Sequence, residues 1–365
     1  MIGHSIGDEV TTNKQVTKHA EVVADLQERL ASGAYRVGEQ LPSEPFLAQE
    51  YGVAYMTIRR AITTLVEQGH LYRVRGRGTY VAEPPSLDQA PSIGLLLLRN
   101  WHSIDPFYFP PIVTGFVEYA QAQGYQVHLA DRSEPLLELL RLQELHVRAV
   151  ACVILEHDDL KDADDLLDRG VMVVAINNYG GLRRVTSVSP NNRKGSYDAT
   201  KILLELGHRD FVFLAGPKLN LDAIERRKGF EMALKQAGIR LKPGSILETG
   251  FLEEGGYEQG KELLKGKILP TAIVAVSDLA AVGMMKALRE DGLKVPDDVS
   301  VFGFGDFRLA AYMSPALTTV QLPLEEIGRQ SADALITQHR GGRVETLKLA
   351  CPIVWRESVA APRQK

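Results

Sequence analysis

The chain has 365 residues, of which 45% are hydrophobic and 24% charged, with a formal net charge of −4. At roughly 150 residues per domain the length predicts two or three domains, and the ordinary composition excludes disordered, collagen-like and coiled-coil chains. The longest apolar runs, Ile93–Leu98 and Ala149–Leu155, fall far short of the roughly 18 residues that cross a bilayer and read as buried strands. The opening MIGHSIGDEV has no basic segment followed by an apolar one, so no secretory signal is visible and a cytoplasmic protein is expected. Cys152 and Cys351 lie in strand-like apolar contexts and read as buried reduced thiols; neither a metal nor a cofactor is expected.

Residues 1–13 are polar and unpatterned and read as a flexible arm. From Lys14 to Ala82 the pattern is three helices followed by a short alternating hairpin. In LPSEPFLAQEYG, Ser43 is a good N-cap, Pro45 is tolerated in the first turn, and Gly52 ends the helix. After a tight turn the next helix runs from about Tyr55 to Gln68, with Ile58, Ala61, Ile62, Leu65 and Val66 forming one apolar stripe. Met56, Arg59, Arg60 and Thr63 are left facing outward. Two short helices of this kind match a helix-turn-helix whose second helix enters a major groove. LYRVRGRGTYV then alternates apolar residues with Arg73, Arg75 and Arg77 and bends at Gly76 and Gly78, a two-stranded wing with a basic tip. Residues 54–80 carry five arginines against the single acid Glu67, a local charge that suits duplex phosphates although the whole chain is acidic.

The segments LPSEPFLAQEYGV and TIRRAITTLVEQGHLYRVRGRGTYVA resemble the winged helix-turn-helix of the GntR family. That resemblance implies backbone or base contacts from Ser43, Thr57 and Arg59 and wing contacts from Arg75, Gly76 and Arg77. Pro45 stands where the family often has Arg, and Ala54 and Tyr55 where it often has Ser or Thr followed by Arg. The candidate DNA-binding set is therefore Ser43, Tyr55, Met56, Thr57, Arg59, Arg60, Thr63, Arg73, Arg75, Gly76 and Arg77.

Residues 83–92 contain Pro84, Pro85 and Pro91 and read as an extended, semi-rigid linker. Beyond it, apolar runs alternate with amphipathic stretches. Strands are expected at Ile93–Leu98, Gln126–Ala130, Val150–Leu155, Val171–Ile176, Phe211–Ala215, Ala272–Val276 and Val299–Phe304. Helices are expected at Ile112–Gln123, Tyr197–Leu206, Ile224–Gln236 and Asp278–Glu290, the last capped by Ser277 and ended by Gly292. Strands that are apolar on both faces and alternate with helices indicate parallel sheets covered by helices. Roughly nine strands exceed one compact sheet, so residues 93–365 read as two consecutive lobes with a ligand site at the strands' carboxyl ends.

Residues 93–358 resemble the effector domain of the LacI/GalR repressors, itself similar to periplasmic sugar-binding proteins. The resemblance rests on LLELGHRDFVFLAGP, RRKGFEMAL, PTAIVAVSDLAAVGMMKALREDGLKVPDDVSVFGFGD, SPALTTVQLPLEEIG and WRES. A GntR-type reader joined to a LacI-type sensor is similar to the arabinose-responsive regulators. The implied fold is α/β: a small winged helix-turn-helix domain plus a two-lobed periplasmic-binding-protein-like domain. The resemblance implies that Arg226 reaches sugar hydroxyls or a carboxylate and that Phe251 stacks on a ring. It adds Phe107, Ser277, Asp278 and Asp306 as candidate effector contacts. Ser277 stands where the family usually has Asn, and Gly305 where it has a ligand-binding Asp. The implied protein is a homodimeric repressor of carbohydrate-utilisation genes that binds operator DNA and a small sugar-like effector, and not an enzyme. A solute-binding or sugar-processing protein without a DNA role is the competing reading.

Other patterns carry little. Gly3-His4-Ser5-Ile6-Gly7 spells a nucleophile elbow without its flanking strand and helix. The acidic run Glu156–Asp165 lacks the glycine and terminal glutamate of a calcium loop and reads as a solvated helix start. His208 reads as a capping or packing residue.

Overall fold

In a computed structural model the protein is described at residues 18–31, 34–67, 70–74, 77–82, 91–97, 107–131, 147–177, 185–266 and 269–363. The chain divides into two units, Met1–Ala90 and Pro91–Lys365. The arm, most of the linker, Arg75, Gly76 and the Gly3–Gly7 motif lie outside the described residues.

In the first unit α1 (Lys18–Ala31), α2 (Glu44–Glu50) and α3 (Tyr55–Glu67) precede the antiparallel strands β1 (Leu71–Val74) and β2 (Gly78–Val81). Val22 and Leu26 of α1, Leu47 of α2, the Ile58, Ala61, Ile62 and Leu65 stripe of α3, and Leu71 and Val81 of the hairpin form one small core. The helical period of α3 and the alternation of the hairpin therefore bury against the same cluster, which fixes the hairpin beside α3.

The second unit holds two six-stranded sheets. The first has the order β13-β7-β6-β5-β3-β4 and is parallel throughout. Its strands are β3 (Ser92–Leu97), β4 (Gln126–Asp131), β5 (Ala149–Val153), β6 (Met172–Ile176), β7 (Thr186–Pro190) and β13 (Leu347–Leu349). With it go α4 (Phe109–Ala122), α5 (His157–Asp168) and α11 (Leu324–His339). The second has the order β14-β12-β11-β10-β8-β9 and is parallel except between β12 and β14. Its strands are β8 (Phe211–Ala215), β9 (Ile246–Glu248), β10 (Ala272–Ala275), β11 (Ser300–Gly305), β12 (Thr319–Gln321) and β14 (Ile353–Val354). Its helices are α6 (Asn192–Glu205), α7 (Leu221–Gln236), α8 (Glu253–Leu264), α9 (Asp278–Glu290) and α10 (Arg308–Tyr312).

The chain passes between the lobes after β7, after β12 and after β13, so Asn191, Leu322–Pro323 and Ala350–Pro352 are the crossings. Phe213, Val274 and Phe302 are fully or almost fully buried, as strands covered on both faces require. The apolar runs locate β3, β5, β6, β8, β10 and β11 to within about two residues. The strands absent from the sequence reading are β7, β9, β12, β13 and β14: each is short, and TSVSP, ILE and LKL carry no apolar run long enough to register. The acidic run forms α5, where buried Asp159 accepts from the backbone N–H groups of Leu155 and Glu156 at 2.7 and 2.8 Å, closing the helix start. His208 packs with Nε2 2.8 Å from the Ala360 carbonyl and Nδ1 3.0 Å from Thr271 Oγ1. Cys152 and Cys351 are both buried thiols, and burial pushes Cys351 up to about 11. No helix among the described residues is long and apolar enough to cross a membrane.

Candidate functional sites in the two units

In the first unit Ser43 caps α2: its extended backbone turns the chain and its Oγ accepts from Phe46 N at 3.4 Å. Gly52, at φ +62°, closes that helix and leads into α3. Burying the Ile58 stripe sends Met56, Arg59 and Arg60 outward; Met56 is 54% exposed. Thr63 is half-buried rather than fully outward, and Thr57 is half-buried as well. Thr63 donates to the Arg59 carbonyl at 2.8 Å and accepts from Arg73 at 3.1 Å, while Arg73 also reaches Glu44 at 3.3 Å. Arg73 thus braces the hairpin against α2 and α3. Tyr55, exposed at the start of α3, is hydrogen-bonded to the Glu44 carboxylate, which raises its phenol pKa.

At the hairpin tip the Arg77 carbonyl accepts from Gln40 Nε2 at 2.6 Å, and the Arg77 side chain stays exposed. Gly78 sits at φ +123°, and a Cβ there would lie 2.5 Å from Gln40 Nε2, so this bend requires glycine. Met56, Arg59, Arg60 and Thr63 line one hollow together with Thr64 and His19. His19 was not singled out from sequence, because a lone histidine on an amphipathic helix carries no pattern. A concave strip of arginine, threonine and methionine beside a basic hairpin offers charge for phosphates and both forked and apolar groups for base edges.

In the second unit the strand ends and helix starts of both lobes meet around a cavity of about 50 Å³. Tyr108, Phe109 and Leu155 line it from the first lobe, Asn220, Asp222, Arg226, Phe251, Ser277 and Phe307 from the second, and Leu322 from a crossing. Arg226, 3% exposed, is held on every side. Its Nε donates to Asn192 Oδ1 at 2.9 Å and Nη1 to the Val276 carbonyl at 2.6 Å. Its guanidinium carbon lies 4.2 Å from the Phe304 ring centre and 5.8 Å from that of Phe251. Asn192 donates in turn to Asp222 Oδ1 at 3.0 Å, so it relays between the arginine and a carboxylate 3.9 Å from Nη2.

Asp222 also accepts from Tyr108 Oη at 2.8 Å, and Tyr108 accepts from Asn177 Nδ2 at 2.6 Å. Tyr108 and Asn177 belong to the first lobe and Asp222 to the second, so this chain of bonds ties the lobes together. Leu221 N, donating to the Leu155 carbonyl at 2.7 Å, is a second tie. Burial and the neighbouring Asp222 charge push the Tyr108 phenol well above its ordinary value, which keeps it a donor. Asn177 Oδ1 is buried without a hydrogen-bond partner among the described residues, and its backbone holds φ +70°.

The remaining predicted contacts divide. Phe251 and Ser277 line the cavity; Ser277 Oγ donates to the Phe251 carbonyl at 2.5 Å and accepts from Ala280 N at 3.1 Å as the cap of α9. Asp278 and Asp306 are not among the lining residues of the cavity. Asp278 is fully buried, accepts from Thr319 Oγ1 at 2.5 Å and from Phe307 N at 2.8 Å, and is pushed up to about 6 by desolvation. Asp306 is paired with Arg356 at 2.6 Å and accepts from Gln321 at 2.9 Å. Phe107 stacks on Phe307, ring centres 5.5 Å apart, outside the cavity. Gly305 sits at φ +146°, and a Cβ there would meet Phe307 and Asp278 at 3.2 Å, so a side chain at this position would be strained and crowded. Sequence reading missed Tyr108, Asn192 and Asp222. Their signal is the clustering of polar residues at helix starts beyond strand ends, which appears only once the topology is known. No group of three metal-ligating side chains occurs among the described residues.

Comparison with known proteins finds relatives for both units. Residues 18–81 match the gntR family of bacterial regulatory proteins, and residues 200–359 match the periplasmic binding protein-like domain. The ribose operon repressor of Haemophilus influenzae is 30% identical over 76% of this chain and 84% of its own length. The arabinose metabolism transcriptional repressor of Geobacillus stearothermophilus is 27% identical over 88% of this chain and 91% of its own. A sugar-binding transcriptional regulator of the LacI family from Escherichia coli, solved with phosphate, is 30% identical with a TM-score of 0.66 and covers 74% of this chain and 99% of its own. The chain therefore belongs to the LacI family of transcriptional regulators and carries a gntR-type helix-turn-helix in front of its effector domain.

Proposed function

We propose that the protein is a cytoplasmic, homodimeric repressor whose hold on operator DNA is controlled by a small metabolite, a sugar or sugar derivative, in the inter-lobe cavity. The reader spans residues 14–82 and the linker 83–92. Arg59, Arg60, Met56 and Thr63 face the major groove, and the wing arginines hold the backbone. Dimers of such readers suit a pseudo-palindromic site. Relatives that regulate ribose and arabinose metabolism support a role in carbohydrate metabolism.

The observation that carries this reading is the hydrogen-bond chain Asn177–Tyr108–Asp222–Asn192–Arg226, which crosses between the lobes at the cavity wall. A ligand that inserts here has a differential contact with the open and closed arrangements, which is what a population shift requires. Relief of repression by the ligand is the expected sign.

A thermal melt against mono- and disaccharides, phosphorylated sugars, polyols and uronic acids tests the pocket, with Arg226→Ala as control. A ligand at 100 times its dissociation constant adds about 2.7 kcal/mol, a shift of several degrees. An upward shift that the variant loses is expected; a shift that the variant keeps places the ligand elsewhere and overturns the reading.

A further inference from the structure

The helix α3 opens with Tyr55, Met56 and Thr57, preceded by Ala54, which has no polar side chain. Tyr55 is 43% exposed, but its hydroxyl is taken up within the unit by hydrogen bonds with the Glu44 carboxylate and the Arg59 guanidinium. Glu44 is also drawn to Arg73, at 3.3 Å. Thr57 is half-buried. Met56 is therefore the outward side chain of the first turn, 54% exposed, and it offers only carbon and a thioether sulfur.

This apolar side chain stands on the basic face. Met56, Arg59, Arg60 and Thr63 follow one another at the i, i+3, i+4 and i+7 spacing of a single helix face, and with Thr64 and His19 they line a hollow of about 350 Å³. Two exposed arginines beside it carry Met56 against the same polyanion that they bind. On the floor of a major groove the apolar group is the thymine C5 methyl, whereas guanine presents acceptors and adenine and cytosine present amino groups. A thioether side chain pressed on those polar edges strips their water and returns no hydrogen bond, which is unfavourable; pressed on a methyl it gains burial.

We propose that Met56 is a specificity-determining residue that packs on the methyl of one thymine in each half-site, while Tyr55, by holding Arg59 one turn along, places a guanine-reading fork beside it. With α3 lying along the groove, three residues rise about 4.5 Å against about 3.4 Å per base step, so the thymine and the guanine fall one or two steps apart. This rests on reading the first unit as the DNA reader and specifies the base that its leading turn selects.

The full chain is used to select duplexes from a random pool, and each thymine of the selected half-site is then replaced in turn by deoxyuridine, which keeps the base pair and removes only the methyl. One thymine per half-site is expected to respond, its replacement lowering affinity about fourfold, as the loss of one buried methyl group does. Cytosine at that step should weaken binding further, and 5-methylcytosine should regain part of the loss. In Met56→Ala the thymine and deoxyuridine duplexes should bind alike, and in Met56→Leu the preference should persist. The salt slope should stay that of the wild type in both variants, because no phosphate contact is removed. Met56 lies outside the core, so neither variant opens a cavity. Affinity that is unchanged by deoxyuridine at every thymine, or a deoxyuridine penalty of the same size in Met56→Ala, overturns the proposal. Failure of the broader reading looks different and removes the proposal with it: the chain then selects no sequence and binds no duplex in a salt-dependent way.

Discussion

The Arg226 guanidinium is forked between the Asn192 side chain, 2.9 Å from Nε, and the Val276 carbonyl, 2.6 Å from Nη1. RRKGFEMAL marks it as a functional arginine by resemblance, yet nothing in that string says that Asn192, 34 positions earlier, would receive its Nε–H or that Val276 O would take its Nη1–H. Those partners come from α6 and a strand end and are set by topology. Because a guanidinium forked between an amide and a carbonyl cannot be replaced by a point charge, Arg226→Lys should lose ligand response, while Arg226→Ala should cost about 3–5 kcal/mol by leaving Asp222 buried without its cation. Denaturant melts of both variants check this, and a change below about 1 kcal/mol in the alanine variant is inconsistent with the network. Asp278 gives a pH test. Desolvation raises its pKa from 3.8 to about 6 in the folded chain. The folded state then holds a proton that the unfolded state has released, so stability falls as pH rises from about 4 to about 6, by up to about 3 kcal/mol. Asp278→Asn should lack that component of the pH profile; an unchanged slope would contradict the assignment.

Elements were more legible than their contacts. The stripe Ile58, Ala61, Ile62 and Leu65 locates α3, and Ser277 with Gly292 brackets α9, because burial and capping leave local signals. Short crossing-side strands such as β12 and β14 leave none, since three and two residues are too few to carry an apolar run. Helix packing is equally silent in sequence until backbones meet. A Cβ on Gly229 of α7 would lie 2.1 Å from the Arg193 carbonyl of α6, so the two helices touch backbone to backbone. Gly229→Ala should force them apart, cost about 1–3 kcal/mol, and draw Arg226 away from Asn192. A melt paired with ligand titration checks both parts. In the reader, Arg77→Ala removes an exposed tip charge whose backbone still holds the turn. Affinity should fall similarly for all duplex sequences and the salt slope should shrink by about one, whereas Arg59→Ala should also relax sequence preference.

At the scale of the whole molecule, the sequence separates a basic reader from a two-lobed sensor by its proline-rich linker and its change of texture, and the resemblance supplies the functional pairing. Folding adds the lobe-spanning ties, Tyr108 to Asp222 and Leu221 to Leu155, on which the proposed coupling of ligand to lobe arrangement rests. Tyr108→Phe removes one tie and should favour the open arrangement, weakening the ligand by roughly tenfold at the usual worth of one buried hydrogen bond to a charge. The most direct measurement uses duplex DNA selected from a random pool by the purified protein. Its affinity is titrated at two salt concentrations, with and without a compound that raises the melting temperature, for the wild type and Arg226→Ala. The expected result is salt-sensitive binding that the compound weakens at least tenfold in the wild type and leaves unchanged in the variant. Affinity that ignores salt, or that stays the same with the compound bound, contradicts ligand-controlled DNA binding.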